Sequence, residues 1–108
     1  MAYLELASKA TTGRLLGSRQ IAMTIRDELE ELMASGEPVE VDFKNTNPTQ
    51  SFVDELIGVL ILEYGKPVLS KIIFKNCSPD TKTILHLVVS DRLVRHSQTY
   101  SPDEAWSH

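Results

Sequence analysis

Cysteine is almost missing from this chain. Cys77 is the only one among 108 residues, so an internal disulfide is excluded and a thiolate metal cage has no ligand set. His86, His96 and His108 have no acidic or cysteine companion at metal-ligand spacing, and neither a metal nor any other cofactor is expected. Long apolar runs are lacking as well: the longest, Val59 to Leu62, is far below the ~20 residues that a membrane span needs. No charged-then-apolar leader opens the sequence, and the chain reads as cytoplasmic, with no membrane association. There is no surplus of positive charge either. Eleven Lys and Arg stand against fifteen Asp and Glu, and the basic residues are scattered rather than gathered in a stripe, which argues against nucleic-acid binding.

What is present is the composition of a folding domain. Hydrophobic residues make up 42% and charged residues 24%, enough to bury a core within one domain, placed at residues 1–96 with a polar C-terminal tail at 97–108. Tyr3 to Ala7 alternates as a strand does, and the glycines at 13 and 17 read as a turn, since Gly13-Arg14-Leu15-Leu16-Gly17 lacks the lysine and hydroxyl residue of a phosphate-binding loop. From Ser18 the period becomes helical: Ile21, Ala22, Ile25, Leu29, Leu32 and Met33 share one face, Ser18 suits the N-cap, and Gly36 with Pro38 ends the run. Val39, Val41 and Phe43 alternate with Glu40 and Asp42 as a second strand. After the break at Gly65-Lys66-Pro67, a strand is expected over Val68 to Lys75, followed by a helix capped by Ser78, opened by Pro79 and running to about His96. Its stripe is read as Ile84, Leu87, Val88 and Asp91, broadened by Leu85, Val89 and Leu93. Strands alternating with helices predict an α/β fold with a central, mainly parallel or mixed sheet of about four strands and three helices.

The candidate site lies between the second strand and the second helix. Residues 45–51, Asn-Thr-Asn-Pro-Thr-Gln-Ser, favour turns and deliver hydroxyls to a helix start, where free N–H groups gather. Ser51 is read as the N-cap with Asp54 three residues on, an approximate capping box, and Asp42 as the group that orients the loop by accepting its N–H bonds. Asp54 and Glu55, adjacent on a helix, diverge too far to work as a paired acid and base and read as solvated acids. Arg19 is placed to reach a partner carboxylate or, more simply, water. The helix from Phe52 to Tyr64 is apolar nearly all round, which predicts a face reserved for a protein partner or for self-association.

From about Gly13 to Arg92 the chain resembles a STAS domain, the fold of bacterial anti-sigma factor antagonists. The resemblance rests on the first helix, on Val39-Glu40-Val41-Asp42-Phe43 with its loop, and on Ile72 to Pro79 leading into the last helix. Val41-Asp42-Phe43 followed by Ser51-Phe52-Val53-Asp54-Glu55-Leu56 is similar to uncharacterised STAS-like proteins often encoded beside a histidine-kinase-like ATPase. The resemblance implies a non-enzymatic regulator docking on such an ATPase and switched by phosphorylation at Ser51, with Thr49 as a neighbouring candidate. Asn47, Gln50, Phe52, Asp54, Glu55 and Ile57 are then the expected docking residues. The antagonists carry an acidic residue and a small glycine around this serine, whereas this chain has Thr49-Gln50-Ser51-Phe52. The alternative is a constitutive oligomer or complex subunit in which Ser51 only caps. An enzyme is not expected, because no nucleophile, base and orienting group can be paired.

Overall fold

The structure is a computed structural model that describes residues 2–9, 15–16 and 18–100. Most of the glycine turn at 13–17, and the part of the predicted tail from 101 onward, with Trp106, lie outside the described residues.

Three strands, β1 (Ala2–Glu5), β3 (Val39–Asp42) and β5 (Ile72–Lys75), form a parallel sheet with β3 at its centre. A two-residue parallel pair, β2 (Leu15–Leu16) with β4 (Asn47–Pro48), sits apart from it. In register, Ala2, Val39 and Ile72 lie side by side, as do Leu4, Val41 and Phe74, and these two rows turn one sheet face towards the helices. The intervening rows, Tyr3-Glu40-Ile73 and Glu5-Asp42-Lys75, occupy the opposite face, where Lys75 pairs with Glu40 at 3.3 Å. Period-two alternation in the sequence therefore becomes a sheet with one apolar face. Parallel strands need crossovers: α1 (Arg19–Met33) lies between β1 and β3 in the chain, and the central helix lies between β3 and β5.

That central helix is not uniform. α2 (Gln50–Val53) and α3 (Val59–Tyr64) flank a π-helical turn, Asp54–Gly58, in which the Val59 N–H donates to the Asp54 carbonyl five residues back. Its apolar side chains are covered by the chain itself. Phe52, Val53, Leu56, Ile57, Leu60 and Ile61 are fully buried, enclosed by the sheet, α1 and α4 (Pro79–Tyr100). The predicted face awaiting a partner is thus corrected: a helix packed on three sides needs apolar residues all round. Of this helix only Tyr64 is a large exposed hydrophobic.

Glycine permits the close packing of α4 on the central helix. A Cβ on Gly58 would stand 3.2 Å from Val88 Cγ1 and from Arg92 Cγ, and one on Gly65 would meet the His96 ring. Gly65 also has φ +77°, a left-handed backbone that ends α3. His96 donates from Nδ1 to the Leu62 carbonyl at 2.9 Å. Gly58 with Val88 and Gly65 with His96 fix the direction: the two helices run the same way.

Two element boundaries differ from the sequence expectation. Residues expected to start the last strand instead form a 3₁₀ helix, Lys66–Lys71, because Pro67 near its start presets a helical φ and the strand begins only at Ile72. The last helix runs past His96 to Tyr100. Its buried stripe is Thr81, Leu85 and Val88 continuing to Arg92, whereas Leu87 and Asp91 face solvent. No helix among the described residues is long and apolar enough to cross a membrane.

Candidate functional site: the loop after the central strand and an arginine-lined cleft

The loop is built on Asp42, which is 6% exposed at the end of β3. Its Oδ1 accepts from the Lys44 N–H at 2.8 Å and from Asn76 Nδ2 at 2.9 Å, and its Oδ2 accepts from the Tyr3 hydroxyl. One carboxylate at the end of β3 therefore ties β1, through Tyr3, to the residue just past β5. The Tyr3 hydrogen bond, then that of Asn76, hold the Asp42 carboxyl below its ordinary pKa, while the same hydrogen bond pushes the Tyr3 phenol up to about 12. Asn45 and Asn76, each just past a strand end, take left-handed φ values of 60° and 56°, a conformation asparagine tolerates better than most residues. Thr46 is buried and donates its hydroxyl to the Phe43 carbonyl at 2.6 Å, closing the turn.

The helix start falls two residues earlier than expected. Thr49, not Ser51, is the N-cap: its Oγ1 accepts from the Phe52 N–H at 3.1 Å. Ser51 is then the second helical residue, and its side chain is exposed. The expected capping box with Asp54 does not form, because Asp54 turns towards α4. Arg92 grips it with Nε to Oδ1 at 2.6 Å and Nη2 to Oδ2 at 2.5 Å, a bidentate pair.

Glu55 points the other way, to α1. Arg26 Nη1 donates to Glu55 Oε2 at 2.8 Å and to the Glu55 carbonyl at 2.6 Å, the carbonyl that an α-helix would have given to the Val59 N–H. Arg19 Nη1 lies 3.4 Å from Glu55 Oε1 and 3.8 Å from Asp54 Oδ2. The two acids expected in solvent are half-buried and clamp three helices together. Arg19 finds its carboxylates within the chain.

These groups open onto a cleft of about 350 Å³ between α1, α2 and α4, lined by Arg19, Ser51, Asp54, Leu87, Arg92 and Arg95 among others. Arg95 also pairs with Asp91 at 3.1 Å. The cleft is half-open, carries guanidinium groups on two walls and presents the Ser51 hydroxyl. Guanidinium forks of this kind suit phosphate or carboxylate oxygens.

The predicted site residues divide accordingly. Ser51, Gln50 and Asn47 are exposed, and Thr49 is half-buried by its capping role. Phe52 and Ile57 have 0% exposure and serve the core, so they cannot touch a partner; the apolar surface that suggested docking is the surface that packs the domain. Arg26, Arg92 and Arg95 were not assigned to the site from the sequence. One signal existed for Arg92: it follows Leu85 and Val88 at helical spacing, and an arginine on a buried stripe calls for a buried partner. Among the described residues no group of three or more His, Cys, Asp or Glu is placed to hold a metal ion.

Comparison with known proteins agrees with this architecture. No curated protein and no solved structure matches the chain. A family model does: the STAS-like domain of unknown function (DUF4325) matches residues 22–82, from within α1 through the central helix and β5 to the start of α4. That stretch is more than half of the chain and includes the loop, Ser51 and both acids of the clamp, and the protein belongs to the STAS-like domain family of unknown function.

Proposed function

We propose that this protein is a non-enzymatic regulatory module that binds a protein partner, a histidine-kinase-like ATPase, through the loop after β3 and the Ser51 cleft, and that phosphorylation of Ser51 controls the complex. The carrying observation is that Ser51 is exposed, released from capping by Thr49, and lines a cleft with Arg19, Arg92 and Arg95. Transfer of the γ-phosphoryl group of ATP to Ser51 Oγ, with loss of the hydroxyl proton and release of ADP, adds about −1.5 to −2 charges at this point. Arg19 and Arg95 lie on the walls that would receive it, and Asp54 would have to share Arg92. The surface offered to the partner is narrower than the sequence suggested: Asn47, Gln50 and Ser51 rather than the buried Phe52 and Ile57.

The test is a pull-down from the native host with identification of bound proteins, repeated with Ser51→Ala and Ser51→Asp. A switch requires Ser51→Ala to keep the partner and Ser51→Asp to lose it, with both variants as stable as the parent. Equal retention by both variants refutes the switch and leaves a constitutive binding module.

A further inference from the structure

Arg19 stands where the helix dipole disfavours a cation. It is the first residue of α1, beside the N–H groups that make a helix start positive, and its side chain is 55% exposed. Its contacts are long: 3.4 Å to Glu55 Oε1 and 3.8 Å to Asp54 Oδ2, against roughly 2.7–2.9 Å for a close charge-assisted bond. Arg92, by contrast, holds Asp54 at 2.6 and 2.5 Å and is 18% exposed. Arg95 pairs with Asp91 four residues back on α4, where both side chains are more than half exposed. Of these guanidiniums Arg92 is committed to its carboxylate, and Arg19 is loosely held.

Ser51 lies next to this set. It precedes Asp54 by three residues, and the Asp54 N–H reaches back to the Ser51 carbonyl, so the two side chains share one helix face. The charged groups that line the cleft with Ser51 are Arg19 from α1, Asp54 from its own helix, and Asp91, Arg92 and Arg95 from α4. Three arginines against two carboxylates leave a single positive charge over, where a phosphate brings about −1.5 to −2. A phosphate on Ser51 would therefore crowd Asp54 with like charge unless a guanidinium came between them. Arg19, already 3.8 Å from Asp54 and bound only at long range, has the least to lose by turning.

We propose that Arg19 is the intrachain receptor of phosphorylated Ser51: once the Oγ–P bond has formed, its guanidinium leaves Glu55 and, together with Arg95, grips the phosphate, while Arg92 keeps Asp54. The inference rests on the phosphorylation of Ser51 proposed above and adds what that event does inside the domain. Glu55 is held from α1 by Arg19 and by Arg26, and only Arg26 keeps its hold after the exchange. The link between α1 and the central helix then depends on the state of Ser51.

The experiment is a phosphorus-31 NMR titration of the full chain with phosphoserine installed at position 51 during synthesis. The second ionisation of phosphoserine ordinarily falls at about 6; guanidiniums lower it, and Asp54 and Asp91 oppose them. The expected result is a value below the ordinary one in the parent, a rise of about 0.5–1 unit in Arg19→Gln and a smaller rise in Arg95→Gln, with native far-ultraviolet circular dichroism throughout. Lys66→Gln removes the same charge at an exposed position outside the cleft and should leave the value where it was. A parent value at or above the ordinary one, or one that Arg19→Gln does not move, overturns the proposal. Equal rises in Arg19→Gln and Lys66→Gln overturn it in favour of net charge alone. Because the phosphoserine is installed rather than added by a kinase, failure here leaves the partner pull-down standing, and equal retention of the partner by Ser51→Ala and Ser51→Asp refutes the switch without touching this titration.

Discussion

Gly58→Ala tests the packing of the three helices most directly. At an exposed helix interior this change stabilises by about 1 kcal/mol, because alanine is the better helix former. Here the added Cβ would stand 2.5 Å from Asp54 Oδ1, closer than real Cβ contacts allow, and 3.2 Å from both Arg92 Cγ and Val88 Cγ1. A carboxylate at the end of a free side chain would swing aside. This one is held by Arg92 through two hydrogen bonds at 2.6 and 2.5 Å, and yielding means losing charge-assisted bonds worth about 1.5–3 kcal/mol. Overpacking against Val88 adds about 1–3 kcal/mol. Set against the propensity gain, the net effect is destabilisation by roughly 1.5–5 kcal/mol. With a urea slope of roughly 1–2 kcal/mol/M for a chain of this size, the unfolding midpoint should fall by about 1 M or more. Circular dichroism through a urea series measures it. In an Asp54→Ala background the cost of Gly58→Ala should shrink, since the closest contact is gone. A Gly58→Ala protein as stable as the parent, or more so, would refute the close approach of α4 and the carboxylate clamp with it.

Two further outcomes separate alternatives equally cleanly. Thr49→Ala should cost about 1 kcal/mol of stability as a lost N-cap, while Ser51→Ala should fall within roughly 0.5 kcal/mol of the parent; the reverse order in urea denaturation would restore Ser51 as the cap. Tyr3 has its pKa raised to about 12 by its hydrogen bond to Asp42. The folded state therefore holds that proton more tightly than the unfolded one, giving a contribution fully present below the ordinary value near 10 and lost as pH rises towards 12. Tyr3→Phe should flatten stability over that alkaline window, and a phenolate absorbance titration showing three ordinary tyrosines would count against the bond. On the acid side, Asp42 has a lowered pKa, so its contribution is present above the ordinary carboxylate range and is lost as pH falls through the folded value.

Short-range physics made much of this protein readable in advance. Alternation in Val39 to Phe43 put Val39 and Val41 on the buried face, and the helical period of Ile21, Ala22, Ile25 and Leu29 gave α1 its packed side with Ser18 as its cap, Oγ accepting from Ile21 N–H at 3.3 Å. Pro79 after Ser78 marked the start of α4, where Ser78 Oγ accepts from the Thr81 N–H at 3.1 Å. These features depend on a few neighbouring residues, and sequence spacing encodes them.

The site was legible only in position. Sequence located the loop and the helix start, but which hydroxyl caps turned on two residues of register, since Thr49 and Ser51 serve equally well on paper. The partners of Asp54 and Glu55 lie 38 and 29 positions away in Arg92 and Arg26, and no local period links them. Whether the apolar central helix faced a partner or its own chain was likewise a tertiary question, settled because Gly58 and Gly65 let α4 approach closely enough to cover it. The sequence alone determined the family, the alternation of strands and helices and the place of the loop, because hydrophobic period and turn chemistry act over short distances. Only the folded chain decided which acids meet which arginines and which surface stays open, because burial and ion pairing depend on residues brought together from separate helices.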